Sequence, residues 1–107
     1  MLVNLTPHAV VAEHDDGTSR TYPPSGALAR CAVTRAQIGV VDGVPVYRAT
    51  FGAVEGLPPP ADGTHYIVSR LVAEASRDRA DLLVPDDTVR DAEGKIVGCR
   101  AFAAVGQ

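Results

Sequence analysis

The chain has 107 residues, 46% of them hydrophobic but only 5% aromatic, with no tryptophan. That length gives a single domain over residues 1–107, with one core built mainly from Val, Leu, Ile and Ala, and no room for a catalytic domain beside a second module. A formal net charge of −3 excludes a general DNA or RNA binder, which must neutralise many phosphates, but not a local cationic patch for one small phosphorylated ligand.

Taken in order, His8 to Glu13 and Thr18 to Tyr22 read as strands joined by Asp16-Gly17, a dipeptide that accepts positive φ at both positions. A two-residue turn there sets Glu13 opposite Arg20. His8 follows Thr6-Pro7 at the strand entry, where its ring either hydrogen-bonds locally or faces a ligand. Pro23-Pro24-Ser25-Gly26 enforces an extended connection and a turn, and Ala27 to Val33 reads as the next strand.

A second hairpin follows: Ile38 to Val41, Asp42-Gly43, then Val44 to Phe51. With Val41 paired to Val44, period-2 alternation places Ile38, Val40, Tyr47, Ala49 and Phe51 on one face, which is expected to be core. Gln37 and Arg48 fall on the other face with Val44 and Val46, and Pro45 marks a sheet edge. Gly56 to Gly63, with three consecutive prolines, is a stiff loop within the domain. Thr64 to Val68 is a strand carrying Tyr66, either a core aromatic or a stacking platform. Ser69 caps a short helix to about Ser76, with Leu71, Val72 and Ala75 inward. Arg70, Glu74 and Arg77 share one face of it.

The last hairpin has Ala92-Glu93-Gly94 as a three-residue loop, Gly94 being left-handed, which pairs Asp91 with Lys95, Arg90 with Ile96 and Thr88 with Gly98. One face then holds Val89, Val97, Cys99, Ala101 and Ala103, a core face. The other holds Thr88, Arg90, Ile96, Gly98, Arg100 and Phe102, and Gly98 leaves space for something to approach the backbone. Asp86 and Asp87 read as a solvated turn after Pro85. The whole is an α+β chain of mainly antiparallel strands, a small sandwich or barrel of hairpins with one short α-helix.

Nine of the ten basic residues are arginine, Lys95 being the exception. A GC-rich coding bias accounts for such usage, and so does selection for a planar fork that grips phosphate or carboxylate with two donors. Arg90, Arg100 and Phe102 on one hairpin face suit a phosphate and an aromatic ring, with Arg70 or Arg77 closing from the helix. The alternative is a solvated surface of ordinary ion pairs. No Gly-rich phosphate loop with Lys-Ser or Lys-Thr, no G-x-S-x-G elbow and no H-E-x-x-H pair occurs, so neither an enzyme nor a cofactor is expected. No metal site is expected from His8, His14 and His65. Cys31 and Cys99, far apart in sequence, are expected as two buried thiols. No leader or membrane-spanning pattern is seen, which predicts a cytoplasmic protein.

The succession Asn4-Leu5-Thr6-Pro7-His8-Ala9-Val10, Pro24-Ser25-Gly26, Gly56-Leu57-Pro58, Tyr66-Ile67-Val68-Ser69, Arg79-Ala80-Asp81, Val89-Arg90-Asp91 and Ile96-Val97-Gly98-Cys99 resembles a family of short proteins from bacteriophages and prophage-bearing bacteria. The chain also resembles phage immune-evasion sponges such as the Thoeris anti-defence sponge. That resemblance implies a β-rich homo-oligomer in the bacterial host cytoplasm that sequesters a cyclic nucleotide or cyclic ADP-ribose-type signal uncleaved. Arg90 and Arg100 would then bind phosphates, Asp91 a ribose hydroxyl, and Tyr66 or Phe102 would stack on the base, with Arg70, Arg77 and His8 as further candidates. Two rival classes are a small phage structural or assembly protein without a nucleotide, and a nucleotide-processing enzyme with His8 or His65 as general base.

Overall fold

In a computed structural model describing residues 1–105, the chain forms β1 (Leu2–Asn4), β2 (Val10–Glu13), β3 (Ser19–Tyr22), β4 (Arg30–Val41), β5 (Val44–Glu55), β6 (His65–Ile67), α1 (Arg70–Ala75), β7 (Leu82–Arg90) and β8 (Ile96–Ala103). Six strands make one sheet in the order β1-β6-β7-β8-β2-β3, while β4 and β5 pair only with each other. The expected β-rich α+β architecture is present, as antiparallel hairpins and a nearly closed, barrel-like sheet. Parallel pairings join β1 to β6, β6 to β7 and β2 to β8. Among the described residues no helix is long and apolar enough to cross a membrane.

Asn4 bridges the two ends of the sheet. It is buried, and its Nδ2 donates to the carbonyls of His8 (2.8 Å) and Tyr22 (2.9 Å), while Oδ1 accepts from the Thr6 amide (2.9 Å) and hydroxyl (2.7 Å). A side-chain amide offers two donors and a two-lone-pair acceptor, and here all are used. The polar residues of the Asn4-to-His8 motif thus tie β1 to the end of β3. The body's core is Leu5, Tyr66, Val68, Val72, Ala73, Leu82 and Val84.

The first hairpin is one residue out of the expected register: Glu13 faces Ser19, and Arg20 faces Ala12. The cause is a three-residue loop. His14 donates to the Thr18 carbonyl, Asp16 Oδ1 accepts from the Thr18 amide and hydroxyl, and Gly17 is left-handed at φ 89°. These hydrogen bonds also hold the Asp16 carboxyl below its ordinary range. A one-residue slip moves every side chain of β3 to the other face.

In the second hairpin the expected Asp42-Gly43 turn and the Val41–Val44 pair are present, with φ of 51° and 79°. The strands continue far beyond the expected limits, to 12 residues each. A register shift between Gln37 and Gly39 leaves Ile38 unpaired and places Gln37 opposite Tyr47, on the face it was expected to avoid. The apolar face is not core: Val40 is 60% exposed, Phe51 54% and Tyr47 46%. Only the base of the hairpin reaches the body, where Cys31 and Val54 pack against the core cluster. Gly56 ends β5 at φ 81°, and a Cβ there would lie 2.0 Å from the Leu28 carbonyl oxygen.

Ser69 caps α1 as expected, its Oγ accepting from the Val72 amide. Val72 and Ala73 are buried and Leu71 is half-buried, but Ala75 is exposed, because the inward side runs through Val72, Ala73 and Ser76 instead. The proline loop is clamped by Arg79, whose Nη2 donates to the Pro58 carbonyl (2.9 Å) and to Asp81 Oδ2 (2.8 Å) while Nε donates to Oδ1 (2.9 Å). The charge-assisted fork holds the Asp81 carboxyl below its ordinary value and raises Arg79.

In the last hairpin the Asp91–Lys95 and Arg90–Ile96 pairs and the left-handed Gly94 occur as expected. A register shift at Val89/Arg90 then places Gly98 opposite Val89 and Thr88 opposite Cys99. Of the expected core face only Cys99 is fully buried; Val97 and Ala101 are exposed. Asp86 and Asp87 lie within β7 instead of a turn, Asp87 at φ 48°. What approaches Gly98 is the chain itself, since a Cβ there would lie 3.2 Å from the Val11 carbonyl oxygen. Both thiols are free; Cys99 is buried and pushed up in pKa by desolvation, whereas Cys31 is half-buried.

Candidate functional site

The eight residues singled out from the sequence are dispersed. Arg90 turns onto its own loop, Nη1 donating to the Gly94 carbonyl at 2.7 Å. Asp91 Oδ1 accepts from the amides of Glu93 and Lys95, so it caps the same loop. Tyr66 is buried in the core and its hydroxyl points to the Pro59 carbonyl at 3.5 Å. Arg70 on α1 and Arg77 just past its C-cap bracket Glu74 at 3.7 and 3.9 Å, and α1 packs against β4, β5 and β7. His8 is exposed, and its backbone carbonyl serves Asn4 and Thr6.

Arg100 and Phe102 do come together. They line a cleft of about 390 Å³ with Ala12, Glu13, His14, Asp15, Tyr22 and Ala101. Tyr22 is also in the wall of a neighbouring cleft of about 500 Å³, lined with it by Met1, Leu2, Arg20, His65 and Leu83. Each volume is within the range of small-molecule sites, and Tyr22 is common to the walls of both, which together are termed the Tyr22 furrow. The Tyr22 and Phe102 rings meet edge to face, centroids 6.3 Å apart at 68°. Arg20 lies over the Tyr22 ring, 5.1 Å from its centroid.

The order Arg20, Tyr22, Phe102, Arg100 therefore runs cation, ring, ring, cation. Arg100 Nε is 3.3 Å from Glu13 Oε2, with both side chains about half exposed. Such a pair contributes at most about 1 kcal/mol, so either partner can be redirected to a ligand at small cost. The two clefts differ in charge. In the larger, Arg20 and His65 face no acidic side chain among the lining residues; in the smaller, Glu13 and Asp15 accompany Arg100. The first suits a phosphate and the second suits hydroxyls, which carboxylates accept. Among the described residues no three His, Cys, Asp or Glu side chains are grouped to hold a metal ion.

Arg20 and Tyr22 were missed because the two-residue turn put Arg20 opposite Glu13, on the other face of the strand. The signal was present in Asp15-Asp16-Gly17-Thr18, where an Asx hydrogen bond competes with the two-residue turn. No family model matches this chain, and no curated protein or solved structure matches it significantly.

Proposed function

We propose that the protein is a sponge: it binds a cyclic nucleotide or cyclic ADP-ribose-type signal in the Tyr22 furrow and holds it unchanged in a bacterial host's cytoplasm, depleting an immune signal. The observation that carries this reading is the pair of clefts sharing Tyr22, with an arginine at each end and two aromatic rings between. Arg20 takes a phosphate, the Tyr22 and Phe102 rings take the base, and Glu13 accepts from a ribose hydroxyl, which frees Arg100 for a second phosphate or a carbonyl. A useful sponge requires nanomolar affinity, about −12 kcal/mol. Two charge-assisted contacts and a stacked base are the types of interaction that supply it.

Retention followed by release provides the test. The purified protein is incubated with cyclic ADP-ribose isomers and cyclic di- and trinucleotides, freed of unbound ligand, heated, and the supernatant identified by mass spectrometry. Intact ligand is expected, and Arg20→Ala is expected to weaken its binding about 10- to 100-fold while changing stability by less than about 0.5 kcal/mol. A chemically altered ligand overturns sequestration in favour of an enzyme, for which His65 in the larger cleft is the available base. No retention across the panel overturns the nucleotide reading and leaves the assembly reading, which the exposed β4–β5 hairpin favours.

A further inference from the structure

Beyond its base, the β4–β5 hairpin is an arm that no other described element covers. Twelve residues per strand extend about 40 Å, against a usual strand of 3–10 residues. A lone two-stranded hairpin is marginal in water because neither face is covered. Here Val33, Val40, Tyr47 and Phe51 lie together on one face, 43 to 60% exposed, with Pro45 and Ala49 between them and Arg35 stacked 4.2 Å above the Tyr47 ring. Val41 and Val44 at the tip and the unpaired Ile38 are exposed as well. The arm also makes the protomer extended. Its radius of gyration is 16.4 Å and its principal extents are 51 × 39 × 26 Å, whereas a compact chain of this length has a radius of about 13 Å.

Overall charge favours a second copy as what covers the arm. From Arg30 to Glu55 three arginines oppose two carboxylates, a surplus of one positive charge, while the rest of the chain holds seven basic and eleven acidic residues. The body is therefore the complementary surface, and it offers an apolar landing place. A shallow groove of about 180 Å³ is lined by Ala9, Val10, Val11, Pro85, Ile96, Val97, Gly98 and Cys99, none of them charged. Ile96 and Val97 on its rim are about half exposed. Area supports reciprocal contact. One face of the arm, about 40 Å by two strands at 4.8 Å, covers about 400 Å² in plan, half of the roughly 800 Å² per partner in a stable interface. If each copy gives its arm and receives one, each contributes two such patches.

We infer that the protein associates with a second copy of itself by arm exchange, the Val33-Val40-Tyr47-Phe51 face of one β4–β5 hairpin lying on the Ile96–Val97 groove of its partner's body. This surface is distinct from the Tyr22 furrow, so the two proposals fail separately. Sedimentation velocity on the full chain at tens of micromolar tests it. The wild type is expected to sediment at twice or a higher multiple of its 11.2 kDa mass. Tyr47→Glu/Phe51→Glu on the arm and, separately, Val97→Asp on the groove are each expected to weaken association by at least about 30-fold, with an unchanged far-ultraviolet circular dichroism spectrum. Val97 is half exposed, so its variant keeps the test valid should the arm variant misfold. A monomeric wild type, or association that survives in either folded variant, overturns the inference.

Discussion

The body and the arm carry similar apolar alternation and use it in opposite ways. In the body, Tyr66, Leu82 and Val84 come from strands that pair on both sides and Val68 directly follows β6, and all are buried. In the arm, Val33, Val40, Tyr47 and Phe51 share one face, the unpaired Ile38 bringing Val33 and Val40 onto the same side, yet all remain open to solvent. Alternation specifies that a strand has an apolar face; a second layer decides whether that face is covered within the chain. Stability of the protomer should therefore reside in the body, and the arm should matter to stability only through a partner.

The junction between the two regions gives the largest expected effect. Gly56→Ala puts a methyl group against the Leu28 carbonyl and forces a positive φ on alanine, and should cost about 4 kcal/mol in urea denaturation. A smaller loss than 1 kcal/mol would mean that arm and body are loosely joined. Within the two regions, Leu5→Ala should cost about 3 kcal/mol because Leu5 is 1% exposed, whereas Val40→Ala should change the stability of the dilute protomer by less than about 0.5 kcal/mol. Equal losses would abolish the distinction.

A loss smaller than that at Leu5 is expected at the clamp on the proline loop. Asp81 has a folded-state pKa below its unfolded value, chiefly through the hydrogen bonds from Arg79. Its contribution is therefore fully present above the unfolded carboxylate value of about 3.9 and is lost as pH falls through the lower folded value, since the unfolded chain binds the proton first. Asp81→Asn should lower stability by about 2 kcal/mol at neutral pH and flatten the acid limb of the stability profile. A variant with the acid limb of the wild type would show that another carboxylate governs it.

The local chemistry of the turns was legible in the residues themselves: Asp42-Gly43, Gly94, the Ser69 cap and the Arg70-Glu74-Arg77 face all appear where their spacing put them. Register was less legible, because the Asp16 side chain and the shifts at Ile38 and Val89 each move the pairing by one residue and so exchange faces. The candidate site suffered most from this. Arg100 and Phe102 were identified, but their neighbours Arg20 and Tyr22 come from a strand whose face depended on a single residue of loop length.

By itself the sequence determined a β-rich α+β chain, its hairpin turns, its capped helix and a surface whose cations are almost all arginine, because each follows from φ preference, alternation or composition over a few residues. The tertiary structure alone decided that Asn4 ties the ends of the sheet, that Arg90 and Asp91 serve their own loop, and that the second hairpin projects as an arm. The first and last depend on which distant segments pair, β1 with β6 being more than 60 positions apart, which no local pattern encodes; the Arg90 and Asp91 contacts are local but compete with any ligand for the same groups. Whether an alternating strand becomes core or interface is set by what lies across from it.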